Sequence, residues 1–226
     1  MALRAVANQL LSSLFEPPCA GCRQRLLNPL DGAVCENCWI ALSLAHPINE
    51  RFPANHAVSW ACAVDHYDGR MKEILHALKY ERRRSISPRL AALMRERGAG
   101  LLHDADRVVP VPLHPHREFA RGFNQSEDLA RGLGPPVARL LRRVRHTPSQ
   151  IDLALAERRT NVKDAFALSD GASVPAKGVV VLVDDVSTSG ATLAECAAVL
   201  KRGGVREVRA LTAARVVAAG YARAHQ

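Results

Sequence analysis

Residues Val179 to Leu193 read VVVLVDDVSTSGATL, and no other stretch narrows the possible folds as far. Five consecutive apolar residues, four of them valine, suit a strand fit for a buried core. The run ends on Asp184 and Asp185. A Ser187-Thr188-Ser189-Gly190 turn follows, and then a helix pattern, GATLAECAAVLKRGG, closed by glycines. Carboxylates are costly beside an apolar interior unless something pairs with them. In open α/β sheets, ligands collect at the carboxyl ends of strands, which is where this pair sits.

Successive strand residues point to opposite faces, so the two carboxylates cannot do identical jobs, although both can reach a ligand at the strand tip. Adjacent carboxylates suit vicinal hydroxyls, or a divalent cation held through hydroxyls and water. The hydroxyl-rich turn opens a helix, whose N–H groups and dipole favour an anion. Thr192 adds a further hydroxyl. The combination reads as one device for a phosphorylated ribose. The plainer reading is a capped strand-turn-helix with solvated aspartates. A Walker loop is excluded, because no lysine follows Gly190, and so is a glycine-rich dinucleotide fingerprint.

The flanking segments alternate between strand and helix patterns. AVSWACAVDHY and REVRALTAARVV read as strands, as does RVVPVPLHP, which its prolines end in a loop. GRMKEILHALKYERRR and SPRLAALMRERG read as helices, and NQSEDLARGLG as a helix start with Asn124 and Glu127 spaced like a capping box. Such alternation predicts an α/β fold with a mostly parallel sheet flanked by helices. At 226 residues and 48% hydrophobic, the chain can bury that core and carry a small appendage. The appendage is expected over residues 1–50, with HPINERFPANH as a linker and residues 51–226 as the main domain.

Four of six cysteines lie in that first part: Cys19, Cys22, Cys35 and Cys38, as CAGC and CENC. Two C-x-x-C turns complete a tetrahedral zinc shell, and four thiolates leave no open position for catalysis, so Zn²⁺ there is structural. The alternatives are two disulfides or a redox pair; a chain without a secretion signal disfavours the first. Cys62 and Cys196 are expected as buried small hydrophobes. No apolar run reaches membrane-spanning length. Leu3, Val6, Leu10 and Leu14 mark a short amphipathic N-terminal helix, expected to dock its apolar face on the body or a partner, with membrane-surface binding as the lesser reading. A cytoplasmic protein is expected.

The formal charge of +9 favours anionic partners without choosing among nucleotides, phosphates and nucleic acid. Arg117 and Arg121, four residues apart, and the amides of Asn124 and Gln125 suit a pyrophosphate; a solvated basic helix face fits them too. Arg143, Arg145, Gln150, Arg158 and Asn161 could line a lid over a ribosyl phosphate, contact a nucleic-acid backbone, or be structural. Aromatics are 4%, poor material for base stacking. His66, His114 and His116 are not expected to be catalytic.

VLVDDVSTSGAT resembles the phosphoribosyl-pyrophosphate (PRPP) motif of type I phosphoribosyltransferases. With PVPLHPHREFARGFNQSEDLA, RVRHTPSQIDLALAERRTNVKDAF and the four cysteines, the chain resembles the ComF family of competence-protein-F-like proteins over most of residues 19–215. Those proteins carry a cysteine-rich zinc-ribbon module before a phosphoribosyltransferase domain. The resemblance implies that Asp184 and Asp185 bind ribose hydroxyls, directly or around Mg²⁺. It implies that Val186 and the stretch Ser187, Thr188, Ser189, Gly190, Ala191 and Thr192 form the binding loop and cradle the 5-phosphate. Arg117, Arg121, Asn124, Gln125, Arg158 and Asn161 complete the binding set, with Asp184, Asp185 and Arg121 nearest the chemistry. The common turn has two threonines before glycine; here the second is Ser189, which keeps the hydroxyl. The implied function is PRPP binding, with Mg²⁺-dependent phosphoribosyl transfer, in a protein of DNA uptake or use. The rivals are a non-catalytic protein handling single-stranded DNA with DNA-uptake partners, and an adaptor using the zinc module. No pattern near residues 55–80 identifies an acceptor.

Overall fold

The computed structural model describes residues 2–15, 17–145 and 162–216. Its strands are β1 (Ile48–Arg51), β2 (Trp60–His66), β3 (Arg107–Pro110), β4 (Leu141–Arg143), β5 (Phe166–Leu168), β6 (Val179–Ser187) and β7 (Glu207–Arg215). Five form one sheet in the order β1-β2-β7-β6-β3, while β4 and β5 pair as a separate antiparallel ribbon. Strands β2, β7, β6 and β3 run parallel; only the β1 edge is antiparallel. The fold is therefore α/β with a mostly parallel sheet, as the alternation of patterns predicts.

The inner strand β6 shows why its first five residues are all apolar. Val181 and Val183 enter one cluster with Ile74 and Leu78 of α3 (Gly69–Tyr80) and with Leu90 and Met94 of α4 (Ser87–Arg97). Val180 and Leu182 enter the opposite cluster with Leu193, Cys196 and Leu200. Those three belong to α8 (Ala191–Arg202); the helices between are α5 (Ala99–Leu102), α6 (Pro115–Arg121) and α7 (Gln125–Ala130). Cys62 and Cys196 are buried, and burial pushes both thiols above their ordinary pKa, so neither is poised as a nucleophile.

Three local findings differ from the expectations. The stretch read as a linker supplies β1. Its charged residues find partners only in the folded state: Glu50 pairs with Arg215, and the Arg51 guanidinium stacks 3.6 Å from the centroid of the Trp60 ring. The N-terminal helix α1 (Ala2–Phe15) docks on the body through its polar stripe. Asn8 accepts a hydrogen bond from the Leu30 N–H and Ser12 one from Arg25, leaving Val6, Leu10 and Leu14 exposed. Asn124 caps α7 by accepting from the Ser126 N–H, whereas Glu127 turns to Arg131 and Arg139 and not to the cap. The cysteine-rich segment, with α2 (Glu36–Leu44), packs into the α3–α4 cluster: Cys19, Cys38, Trp39 and Leu42 belong to the same core as Ile74 and Leu90.

Candidate functional site

The tip of β6 splits its two carboxylates between different partners. Asp184 Oδ1 accepts hydrogen bonds from Ser126 Oγ and from the Asp185 N–H, each at 2.9 Å. Burial, and then the neighbouring Asp185, push the Asp184 pKa up to about 7, with Ser126 and Lys79 pulling the other way. Asp185 is 4% exposed, and its Oδ2 lies 2.9 Å from Lys79 Nζ at the end of α3. The ammonium stands at ion-pair distance but outside hydrogen-bonding angles. For Lys79, burial opposes the charge, yet Asp185 first and Asp184 second outweigh it and raise the pKa. Lys79 is thus a largely buried cation facing a carboxylate pair.

These groups open on a cavity of about 360 Å³, the size of a small-ligand pocket. Its floor is Asp184, Asp185 and Val186. Thr188 and Thr192 come from the turn and helix start, and Arg117, Arg121, Gln125 and Arg143 form the basic side. Gly190 adopts the left-handed conformation (φ 75°) that lets the chain reverse from β6 into α8. Ser187, Ser189, Gly190 and Ala191 line a neighbouring cavity of about 370 Å³ with Phe52, Val58 and Leu193. Only part of the binding loop therefore faces the carboxylates. Asn124 is spent on the α7 cap and on the Val111 carbonyl, to which its amide donates at 3.1 Å. Arg158, Asn161 and Gln150 lie outside the described residues.

The basic side concentrates like charge. The Arg143 guanidinium, 5.3 Å from the Phe166 ring centroid, has its pKa lowered by burial first and by the charge of Arg117 second. Arg121 donates to Gln125 Oε1 and lies 5.6 Å from the Tyr80 ring centroid. Cations gathered in a partly buried cavity favour an anion that would offset them. Lys79, Tyr80, Arg117 and Arg121 also wall a second groove of about 370 Å³, completed by Arg82, His116 and Ala120; Phe119, next to Ala120 on α6, is exposed.

Sequence reasoning missed Lys79 and Ser126. A signal existed for Lys79: Met71, Leu75 and Lys79 fall at i, i+4 and i+8, so a lysine occupies the buried stripe of α3. Ser126 carries no such mark, since its role depends on how α7 meets β6.

The four cysteines converge at a second site. Cys19 and Cys38 sulfurs are 3.8 Å apart, Cys22 and Cys35 sulfurs 3.7 Å, and all four lie within 4.8 Å of one another. Four sulfurs about 2.3 Å from a zinc ion would be spaced by roughly 3.8 Å, so the cluster can hold this metal. All four are free thiols. Burial pushes the Cys38 and Cys35 thiols up; at Cys19 it is outweighed by N–H groups of Cys35, Cys22 and Gly21, which bring that thiol down to about 7. Only a cation at the centre would hold all four as thiolates. Gly21 leaves room for it: an added Cβ would stand 3.0 Å from the Cys38 sulfur and 3.3 Å from Ile74.

No family model matches the chain. It is 35% identical over 196 residues to DNA utilization protein YhgH of Salmonella typhimurium, covering 78% of this chain and 82% of that one. It is 32% identical over 156 residues to competence protein F of Haemophilus influenzae, covering 65% and 68%. The crystal structure of TT1426 from Thermus thermophilus superposes on 59% of this chain and 84% of its own, at 17% identity and a TM-score of 0.34, too low to carry an argument. Among the described residues, no helix is long and apolar enough to cross a membrane.

Proposed function

We propose that this chain, which belongs to the family of competence protein F and the DNA utilization proteins, binds a phosphorylated ribose of the PRPP type and serves DNA uptake or use. One observation carries the reading. A carboxylate pair, the hydroxyl-bearing start of a helix and three arginines converge on a single cavity at the tip of one parallel strand. In this reading Asp184 and Asp185 accept hydrogen bonds from the ribose hydroxyls. Thr188, Thr192 and the N–H groups opening α8 receive the 5-phosphate. Arg117, Arg121 and Arg143 neutralise a pyrophosphate on the other side. Phosphoribosyl transfer would break the bond between ribose C1 and pyrophosphate and form one to an acceptor nitrogen. Here the arginines would stabilise the leaving group where its charge develops.

The carboxylates fit direct ligation of Mg²⁺ poorly. Asp184 Oδ1 already accepts from Ser126 and the Asp185 N–H, and Asp185 Oδ2 faces the Lys79 ammonium at 2.9 Å, so a metal ligated here would sit against a fixed cation. Mg²⁺ would instead enter on the pyrophosphate and hydroxyls of the ligand, where it screens their charge.

Calorimetric titration of PRPP, with and without Mg²⁺, tests the reading beside an Asp184→Asn, Asp185→Asn double variant. Binding lost in the double variant is expected; no binding by folded, zinc-loaded wild type would refute it. The adjoining groove favours a second reading, in which the fold handles single-stranded DNA without catalysis. Arg82, Arg117 and Arg121 would meet phosphates while exposed Tyr80 and Phe119 offer ring faces. Arg82→Ala with Arg121→Ala should then lower the salt slope of single-stranded oligonucleotide binding by about 1.4; an unchanged slope would remove the groove from the interface.

A further inference from the structure

The strand-tip aspartates face a cation that belongs to the protein itself. Lys79 lies on the buried stripe of α3 and reaches Asp185 Oδ2 at 2.9 Å, with its side chain 12% exposed and that of Asp185 5%. Around this ammonium stand Asp185, Asp184 and Tyr67. Arg143 lines the same cavity as Asp184. The carboxylate pair thus has a cation of the protein's own at ion-pair distance before any ligand arrives. A divalent metal on Asp185 would have to displace Lys79 or sit against it, and like charges at contact distance in a partly buried site repel strongly. The last turn of α3 adds a reason for Lys79 to stay, because the carbonyl end of a helix favours a cation.

We propose that Lys79 is a built-in counter-cation that takes the place of a protein-bound metal at the carboxylate pair, holding Asp185 so that the pair receives ligand hydroxyls without metal ligation. The ligand half of this statement rests on the ribosyl-phosphate reading; the metal half does not. Lys79 is a positioning residue, acting on the ligand through Asp185.

Mn²⁺ binding to the zinc-loaded full chain, followed by electron paramagnetic resonance, tests the metal half directly. Wild type and Lys79→Arg should show no Mn²⁺ site that depends on Asp185. Lys79→Met should gain one Mn²⁺ about tenfold or more tighter than wild type, as expected when a cation is removed from a carboxylate pair. Adding Asp185→Asn to that variant should abolish the site. A Mn²⁺ site in wild type that Asp185→Asn removes would overturn the proposal, and this comparison does not depend on Lys79→Met folding. So would a folded Lys79→Met that gains no site. In parallel, ribose 5-phosphate should bind wild type equally with and without Mg²⁺. Lys79→Met should bind it about tenfold more weakly without metal and recover with Mg²⁺; an unchanged affinity in that variant would also overturn the proposal. If Mn²⁺ behaves as stated while wild type binds no ribose 5-phosphate, the ligand reading fails and the assignment of Lys79 stands.

Discussion

Ser126→Ala removes the side-chain member of the two hydrogen bonds that Asp184 Oδ1 accepts, both of which favour its charged form. Ser126 is fully buried and donates from Oγ to Asp184 Oδ1 at 2.9 Å. Replacement by alanine removes a single oxygen, and the buried surroundings limit its replacement by water. A hydrogen bond to a charged group contributes about 1.5–3 kcal/mol. At 1.36 kcal/mol per unit, its loss should raise the Asp184 pKa by roughly 1–2 units. Wild-type Asp184 titrates at about 7, and a carboxylate that accepts ribose hydroxyls is needed ionised. Affinity for PRPP should therefore fall below neutral pH in wild type, and the midpoint should move to roughly pH 8–9 in Ser126→Ala. Calorimetry between pH 5.5 and 9.5 reads both curves, and comparing them cancels the titration of the ligand phosphates. Asp184→Asn should remove the dependence. A midpoint that stays put or moves down in Ser126→Ala would refute the account of the strand tip.

The same carboxylate should cost stability. The folded pKa of Asp184 lies about 3 units above its ordinary 3.8, so nothing is lost below pH 4 and up to about 4 kcal/mol is lost above pH 7. Asp184→Asn should accordingly raise the melting temperature at pH 8 by several degrees and leave it nearly unchanged at pH 4; equal shifts at both would count against this. Gly190→Ala places a Cβ at φ 75°, costing about 1–2 kcal/mol, with an accompanying loss of phosphate affinity measurable by calorimetry. Wild-type stability and affinity in that variant would mean the turn relaxes at no cost.

The parts legible in the sequence were those whose partners are implied by pattern alone. A five-residue apolar run announces a strand covered on both faces, and Val180 to Val183 alternate between two clusters as that requires. Two C-x-x-C turns point four sulfurs at one centre, and the four lie within 4.8 Å of one another. What stayed hidden depends on contacts between distant segments. Glu50 and Arg51 belong to a strand because Arg215 and Trp60 receive them. Asn8 and Ser12 dock α1 because Leu30 and Arg25 present a donor to each. Asn124 reads in the sequence both as a cap and as a ligand donor, and only the fold shows that its amide also donates to the Val111 carbonyl. Lys79 was visible as a periodicity error on α3, which becomes informative only once Asp185 is known to face it.

The cysteine module and the strand-tip site should be energetically linked, because α3 serves both. Its Ile74 packs against the Gly21 backbone of the first C-x-x-C turn, its Glu73 pairs with Arg23 at 2.9 Å, and its last turn supplies Lys79 to Asp185. The exposed Arg23–Glu73 pair alone is worth little; the shared apolar cluster carries the linkage, since Cys19 and Cys38 lie in one core with Ile74, Leu75 and Leu90. Loss of zinc would leave the Cys35 and Cys38 thiols, whose deprotonation burial opposes, without the cation that offsets it, and structural zinc contributes folding energy outright. Cys35→Ser should release zinc, measured with a chromogenic chelator, and lower the melting temperature of the whole chain in one transition. It should also weaken ribose 5-phosphate binding by loosening the helix that carries Lys79. Two separate transitions, with affinity retained after zinc is lost, would show that the module is an appendage that α3 does not connect to the site.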